Sequence, residues 1–151
     1  AQGMALAGDV QLLPIPTFEL EIEPWTDRDV PICAAIDAGS TGLAWGLFTP
    51  GQNGYDLEKK GIGTPAELAE AIPANAVFCG ESAQKLADYV PGTRILSADA
   101  PTRRADSLIS LALRKLESGE SSDPSKVEIT YARAPNISTP KPRLPDGSRA
   151  K

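Results

Sequence analysis

The segment from Asp37 to Gly42 carries residue types that could bind a phosphate. Gly39 and Gly42 would let the backbone approach a ligand closely, and Ser40 and Thr41 supply hydroxyl groups beside backbone amides. Asp37 ends an apolar run, where its carboxylate could hold a metal-bound water. ATP with magnesium is therefore one ligand that this turn predicts. A tight hairpin turn also needs glycine and small polar residues for its geometry alone, so a purely structural interpretation stays open.

Gly80 is a second candidate for anion binding. A strand that runs into glycine and then into a helix N-terminus presents free amides to an anion. Glu81 would place its own carboxylate at that positive end. We therefore favour a structural role, in which Glu81 stabilises the helix that it begins. The acidic side chains at 19, 21 and 23 alternate with apolar ones and are interpreted as a solvated face.

The sequence contains no histidine, which excludes whole classes of chemistry. No Ser-His or Cys-His nucleophile pair can form, no metal can be held by imidazole, and no catalytic or metal-binding residues are predicted. Cys33 and Cys79 lie in apolar runs, where a free cysteine packs as a small hydrophobe. Two cysteines at this spacing do not predict a disulfide framework, and they favour a cytosolic protein.

Charge divides the chain into an acidic body and a basic end. The formal net charge is -5, but five basic residues and one acidic residue lie from Arg133 onward. Residues 1–132 therefore carry ten basic and nineteen acidic side chains, which argues against broad nucleic-acid contact by the body. Residues 134–151 contain four prolines and few apolar side chains, so we predict a disordered tail. A basic arm that reaches a tRNA backbone is the alternative.

The sequence shows neither a membrane segment nor a secretory signal. No apolar run approaches the length that crosses a bilayer, and the first residues lack a basic stretch followed by an apolar one. We therefore expect a cytoplasmic protein with no membrane contact.

Residues 1–63 predict the elements that would position the 37–42 turn. Residues 1–7 are typical of the last turns of a helix with Gly8 as its cap, and residues 10–15 of a short strand. Thr17 is expected to cap a short helix that ends near Glu23. Residues 32–36 form an apolar run without alternation, which is typical of a strand buried on both faces. Strands are also expected at 43–48 and 55–60, so that the turn joins a hairpin.

The second half predicts helices that alternate with short strands. Thr64, Pro65 and Glu67 form a capping-box sequence for a helix that ends near Ile72. A strand at 76–79 leads through Gly80 into a helix with Ala83, Leu86, Ala87 and Val90 inward, followed by a strand at 94–96. The longest helix spans about 102–118, and an extended piece covers 127–131. The inward residues of this longest helix are expected to be Ala105, Leu108, Ile109, Ala112 and Leu116.

This order of elements predicts an α/β fold with a mixed sheet and helices packed against it. Residues 31–133 form the predicted domain. Residues 1–30 lead into it as the end of a helix and a connecting segment, and residues 134–151 follow it as the tail.

Several segments, taken in order, resemble the TsaB (YeaZ) family, whose proteins were once labelled glycoprotease-like. Residues 1–7 are similar to the end of that family's central helix, and residues 32–38 to the opening strand of its second domain. Trp45 falls where the family often has an aromatic residue in the second strand. Residues 77–80, 105–116 and 129–133 resemble its later strand-glycine step, its long C-terminal helix and its closing Tyr-x-Arg segment. Gly39 departs from the family's usual arginine.

The resemblance implies an actin-like, RNase H-like fold of two related lobes, of which this chain matches the second. It implies a non-catalytic scaffold for a TsaD-like catalytic paralogue and a TsaE-like ATPase. That complex makes threonylcarbamoyladenosine beside the tRNA anticodon, so tRNA would be contacted through the complex. No cofactor is implied for the chain itself, although ATP and magnesium would be present through the partner. Dimerisation in the family runs mainly through first-lobe helices, and a homodimer of this chain stays open.

Two alternatives belong to enzyme classes. The turn also resembles the phosphate-binding hairpin of actin-like and sugar-kinase ATPases, in which Asp37, Ser40 and Thr41 would surround magnesium and ATP. A protease, as the old family label suggests, has little support because the sequence lacks histidine and a metal motif.

Overall fold

The computed structural model describes the protein over most of its length. It describes residues 2–8, 10, 12–52, 54–96, 102–120, 123 and 125–127. The predicted extended piece at 127–131, apart from Val127, and the predicted tail at 134–151 lie outside the described residues.

A four-stranded mixed sheet forms the centre of the fold. Its strands are β1 (Ile32–Asp37), β2 (Leu43–Gly51), β3 (Gly54–Gly63) and β4 (Val77–Cys79), in the order β3-β2-β1-β4. β2 pairs antiparallel with both β1 and β3, while β4 pairs parallel with β1. The predicted mixed sheet and α/β class are therefore confirmed, and the candidate turn at 37–42 joins β1 to β2.

β1 is buried on both faces, as its continuous apolar sequence predicts. Cys33 and Ala35 face one core cluster, which includes Leu68 of the helix between β3 and β4. Ile32 and Ala34 face a second cluster on the opposite side of the sheet. Burial on both sides fixes the strand and therefore the position at which its last residues emerge.

β3 forms one edge of the sheet and contains an extra residue. Leu47 of β2 pairs with Lys59, whereas the next residue, Phe48, pairs with Leu57. Glu58 therefore has no partner of its own on β2, which is the arrangement of a β-bulge. The extra residue shifts by one position the alternation of side chains between the two faces of the sheet. Residues before and after Glu58 therefore do not follow one register.

Within the described residues, four α-helices accompany the sheet: α1 (Gln2–Gly8), α2 (Thr17–Ile22), α3 (Pro65–Ala71) and α4 (Ala105–Glu117). The predicted capping box of α3 is confirmed, because the Thr64 hydroxyl accepts from the Glu67 amide and the Glu67 carboxylate accepts from the Thr64 amide. α1 confirms the predicted helix at the start of the chain. No helix within the described ranges is long and apolar enough to cross a membrane.

Three predictions for short strands and for the cap of α2 are wrong. None of the strands of the sheet includes residues 10 or 12–15, and Leu12 forms only an isolated bridge. Prolines at 14 and 16 lack the amide donors that a strand requires. Thr17 is the first residue of α2 and does not cap it; the cap position is Pro16. The strand expected at 94–96 is reduced to one parallel bridge between Ile95 and Phe78.

The segment after Gly80 forms a short 3₁₀ helix at Ala83–Leu86, where an α-helix through Val90 was expected. A spacing of three between apolar residues fits a 3₁₀ turn as well as an α-helix. Ala83, Leu86 and Val90 are buried as predicted, but Ala87, which was also expected inward, is exposed. The pattern therefore identified three of the four expected core residues and misidentified the helix type.

α4 presents the opposite face to the one that its sequence predicts. Leu111 and Ser107 are its buried residues, while the residues that were expected inward are not among them. Ion pairs from Arg114 to Glu23 and from Lys115 to Glu19 hold the polar side of α4 against the segment that contains α2. The prediction for the inward face of this helix is therefore wrong.

Both cysteines should be inert in the folded protein. Cys33 and Cys79 lie on opposite faces of the sheet, and both are buried. Burial raises the pKa of Cys33 to about 12 and the pKa of Cys79 well above its ordinary value, so neither forms the reactive thiolate. We expect negligible reaction with a thiol reagent until the protein is unfolded, whereas a Tyr89→Cys variant should react at once. An intramolecular disulfide in the folded protein would contradict this.

Candidate functional site

The two segments that the sequence singled out lie side by side at the ends of β1 and β4. The parallel pairing of these strands brings the turn after β1 next to the loop after β4. The Ser82 amide donates to the Ala35 carbonyl over 3.1 Å, and the Asp37 amide donates to the Glu81 carboxylate over 3.3 Å. The structure therefore brings Asp37 and Gly80 into one region, although sequence reasoning treated them as separate sites.

The turn from β1 to β2 is a single turn of 3₁₀ helix at Gly39–Thr41. Its ends are tied together, because the Ala38 amide donates to the Gly42 carbonyl over 2.9 Å. Ser40 is exposed beside Gly39, and the backbone of Thr41 completes the turn. Four of the predicted ligand-binding residues are thus contiguous in this turn, and two of them, Gly39 and Ser40, are exposed.

The two glycines of the turn are required for different reasons. Gly42 has a φ of 103°, and a Cβ at this position would lie 3.0 Å from the Gly63 carbonyl carbon and closer still to its oxygen. Gly39 has a φ of 65°, but nothing lies within 4 Å of a Cβ placed there. Gly42 is therefore needed by packing against the end of β3, whereas the space beside Gly39 is open to a ligand.

The carboxylate of Asp37 is bound within the protein. Lys85, in the 3₁₀ helix after β4, donates to Asp37 Oδ1 over 2.7 Å. The hydrogen bond from Lys85 and its positive charge lower the pKa of Asp37 below its usual value, so the carboxylate is ionised at neutral pH. Half of each side chain is exposed, at 53%. An ammonium group thus neutralises the carboxylate that sequence analysis assigned to a metal-bound water.

Gly80 is explained by close packing of the backbone. Its φ is 99°, and a Cβ would lie 2.6 Å from the carbonyl oxygen of Ala35 in β1. The glycine therefore allows the loop after β4 to approach β1. Glu81 does not begin an α-helix, so the prediction that it stabilises its own helix is wrong. Its carboxylate instead accepts the Asp37 amide and pairs with Arg103.

Arg103 connects this region to a buried carboxylate that the sequence analysis missed. Its guanidinium contacts Glu81 and also lies 3.3 Å from Glu21 Oε1. Thr102 donates a further hydrogen bond to Glu21 over 3.3 Å. We refer to Glu21, Glu81, Arg103, Asp37 and Lys85 as the charged cluster.

Glu21 is the buried member of the charged cluster. The residue is 1% exposed, so the prediction that it belongs to a solvated face is wrong. Within the part of the chain that the structure describes, nothing donates a hydrogen bond to its Oε2 atom. Burial raises the pKa of Glu21, while the bond from Thr102 and the charge of Arg103 act in the opposite direction. α2 is short and packed on both sides, which the alternation of acidic and apolar residues did not reveal.

The chemistry open to the charged cluster is ionic. Its carboxylates and cations alternate, and no group of three potential metal ligands occurs within the described parts of the chain. The cluster joins the turn, the loop after β4 and α2 through side chains. It can hold these segments in a fixed arrangement, and its outer members Asp37 and Lys85 remain accessible to a partner.

Comparison with known proteins relates the chain to solved structures through its fold. No protein-family model matches the sequence, and no curated protein matches it in sequence. YeaZ from Pseudomonas aeruginosa superposes with a TM-score of 0.68 at 21% identity, over 86% of this chain and 62% of YeaZ. A second structure superposes with a TM-score of 0.66 at 21% identity, over 87% of this chain and 63% of that one. It is described as an uncharacterised protein from Pseudomonas aeruginosa with similarity to peptidase YeaZ.

The likeness establishes a YeaZ-like fold for most of the chain. At 21% identity the superposition supports a shared fold, and it assigns no role to individual residues. The chain spans somewhat less than two thirds of the length of these two structures. In that description, the word peptidase refers to YeaZ, the protein to which the second structure is similar.

Proposed function

We propose that this chain is the second lobe of a TsaB-like scaffold subunit in the complex that makes threonylcarbamoyladenosine next to the tRNA anticodon. The subunit performs no catalysis of its own. Its partners are a TsaD-like catalytic paralogue and a TsaE-like ATPase, and tRNA is contacted through the assembled complex. The observation that carries this proposal is the superposition of 86% of the chain on YeaZ.

The state of the charged cluster supports a structural role for the candidate turn. Lys85 neutralises Asp37, and Glu81 places a carboxylate on the Asp37 amide. A phosphate site needs free backbone amide donors. At the Asp37 amide, a phosphate would instead meet the negative charge of the Glu81 carboxylate. The absence of histidine from the sequence also removes the commonest general base.

Replacing Asp37 with alanine should leave the tRNA-modifying activity of the reconstituted complex within about twofold of normal. We expect this because a half-exposed pair such as Asp37 and Lys85 contributes little to stability, and a scaffold needs no carboxylate for chemistry. The measurement is the threonylcarbamoyladenosine content of tRNA by mass spectrometry. It uses the full-length parent, the catalytic paralogue and the ATPase.

Asp88→Ala is the matched control, since Asp88 is exposed and lies outside the charged cluster. Circular dichroism on each variant separates loss of activity from loss of fold. A large loss of activity with Asp37→Ala alone, in a folded protein, would contradict the scaffold proposal. A parent that fails to bind the catalytic paralogue would contradict it as well.

An ATP-binding lobe of an actin-like ATPase or a sugar-kinase-like phosphotransferase is the second candidate. The open space beside Gly39 favours it, because a ligand could approach the backbone there. Calorimetry with ATP and magnesium, on this chain and on its full-length parent, distinguishes the two. No binding by either supports the scaffold, whereas binding that Asp37→Ala removes and Asp88→Ala retains supports the nucleotide site.

A further inference from the structure

The orientation of α4 leaves an apolar surface without a partner among the described residues. Its buried side contains Leu111 and Ser107, and ion pairs from Arg114 and Lys115 fasten that side to the body. Leucine and isoleucine side chains on the other side are between 43% and 58% exposed. A helix usually buries its apolar face, so this inversion indicates that something covers the exposed one.

The exposed face of α4 forms a narrow seam. Ala105, Ile109, Ala112 and Leu116 follow one another at intervals of four, three and four residues, which places them in one line along the helix. Leu108 and Leu113 flank this line on either side. We call these residues the α4 seam. Residues with this spacing line the contact between two helices that pack side by side over a short length.

Small and large residues alternate along the α4 seam, and this alternation makes the seam complementary to itself. In an antiparallel pair of identical helices, Ala105 of one copy lies opposite Leu116 of the other. Ile109 then lies opposite Ala112, and the two remaining positions repeat these pairings by symmetry. Within this central line of four, every large side chain thus meets a small one, which is the arrangement that close helix packing requires. Leu108 and Leu113 lie at the margins of the contact.

We propose that a second copy of this chain covers the α4 seam, forming a two-fold symmetric antiparallel helix pair. α4 has thirteen residues and is therefore about 20 Å long. One helix face of this length buries well below the roughly 800 Å² per partner of a stable interface. The dimer is therefore weak and reversible, with a dissociation constant on the order of 100 µM. The proposal does not depend on the function proposed above.

Sedimentation equilibrium from about 10 µM to about 1 mM tests the dimer. The expected result is a rise in average mass toward twice that of the chain. Ile109→Lys should restore the monomer at every concentration, because it places a charge in the centre of the α4 seam. Leu57→Lys is the control, since Leu57 is 46% exposed on β3 and lies outside the seam. This variant should associate as the unmodified chain does.

Crosslinking tests the orientation of the helices. An equimolar mixture of Ala105→Cys and Leu116→Cys chains should form a mixed disulfide dimer under mild oxidation. The native cysteines are buried and do not interfere. In a parallel pair, residues 105 and 116 of different copies would be about 16 Å apart, too far for a disulfide. Each variant alone would crosslink in that case, which would overturn the antiparallel arrangement.

Three results would overturn the proposal altogether. The first is a monomer across the whole concentration range. The second is association that Ile109→Lys leaves unchanged, because another surface would then be responsible. The third is protection of a Leu113→Cys thiol from a thiol reagent at concentrations where the chain is monomeric. That result would show that another part of the chain, or another protein, occupies the α4 seam.

Discussion

Replacing Arg103 with alanine should lower the free energy of unfolding by about 3 kcal/mol at pH 7. Among the described residues, the change leaves Glu21 with Thr102 as its one hydrogen-bond partner and with no paired cation. Breaking a fully buried pair from one side costs roughly 3–5 kcal/mol. In this pair Glu21 is buried, whereas the Arg103 side chain is 41% exposed. We expect a loss at the lower end of this range, because the folded protein can protonate Glu21 in place of leaving its charge unpaired. Protonating a glutamate of ordinary pKa at pH 7 costs a similar free energy. Urea unfolding monitored by circular dichroism provides the measurement.

The loss in Arg103→Ala should depend on pH in one direction. Burial raises the pKa of Glu21 in the folded state above its value in the unfolded chain. The folded state therefore binds the proton more tightly, and stability falls as the pH rises through the folded pKa. Below the ordinary glutamate pKa, about 4.3, both states are protonated and the loss largely disappears. The deficit should thus be large at pH 7 and small near pH 4.

Two variants control this experiment. Arg104→Ala removes the neighbouring arginine, whose pair with Asp106 is exposed, and it should leave the melting temperature nearly unchanged. Glu21→Gln removes the buried charge, so that adding Arg103→Ala to it should cost little. A deficit that is equal at pH 4 and pH 7 would contradict the assignment of Glu21 as its source.

Gly42→Ala should destabilise the protein by about 4 kcal/mol. Two costs combine, because a φ of 103° strains any residue with a side chain, and the new methyl group would collide with the backbone of Gly63. The collision is with a strand, which cannot move aside as the end of a flexible side chain can. The midpoint of urea unfolding should fall while its slope stays constant.

Gly39→Ala is the matched control three residues away in the same turn. It also has a positive φ, but a methyl group there meets nothing within 4 Å. We therefore expect a loss of about 1 kcal/mol from backbone strain alone. Equal losses at the two positions would show that packing against Gly63 does not explain the glycine at 42.

Local sequence signals predicted the parts of the fold that depend on few contacts. The capping box at Thr64 and Glu67 was predicted correctly because both partners lie within one helical turn. The apolar run of β1 identified a strand covered on both faces, and the glycine-rich turn after it identified the hairpin. These features together placed the candidate turn at the end of a buried strand.

Features that depend on distant partners were not predicted. The buried carboxylate of Glu21 is paired with Arg103, which lies 82 positions later in the chain. The face of α4 that points outward is set by carboxylates on the segment that contains α2. The periodicity of the sequence cannot indicate which face of the helix these ion pairs hold against the body. The candidate turn was located correctly, but Lys85 as the partner of Asp37 could not be found without the parallel pairing of β1 and β4.

The bulge at Glu58 has a consequence for how copies of this chain meet at high concentration. β3 is ten residues long and lies at the edge of the sheet, which would make it a template for fibril growth. The extra residue breaks the register that an incoming strand must follow, and Lys59 and Lys60 add positive charge beside it. Strand addition and amyloid-like stacking along this edge are therefore disfavoured. Crowded chains would then meet through the proposed α4 pair, whose two-fold symmetry closes it at two copies.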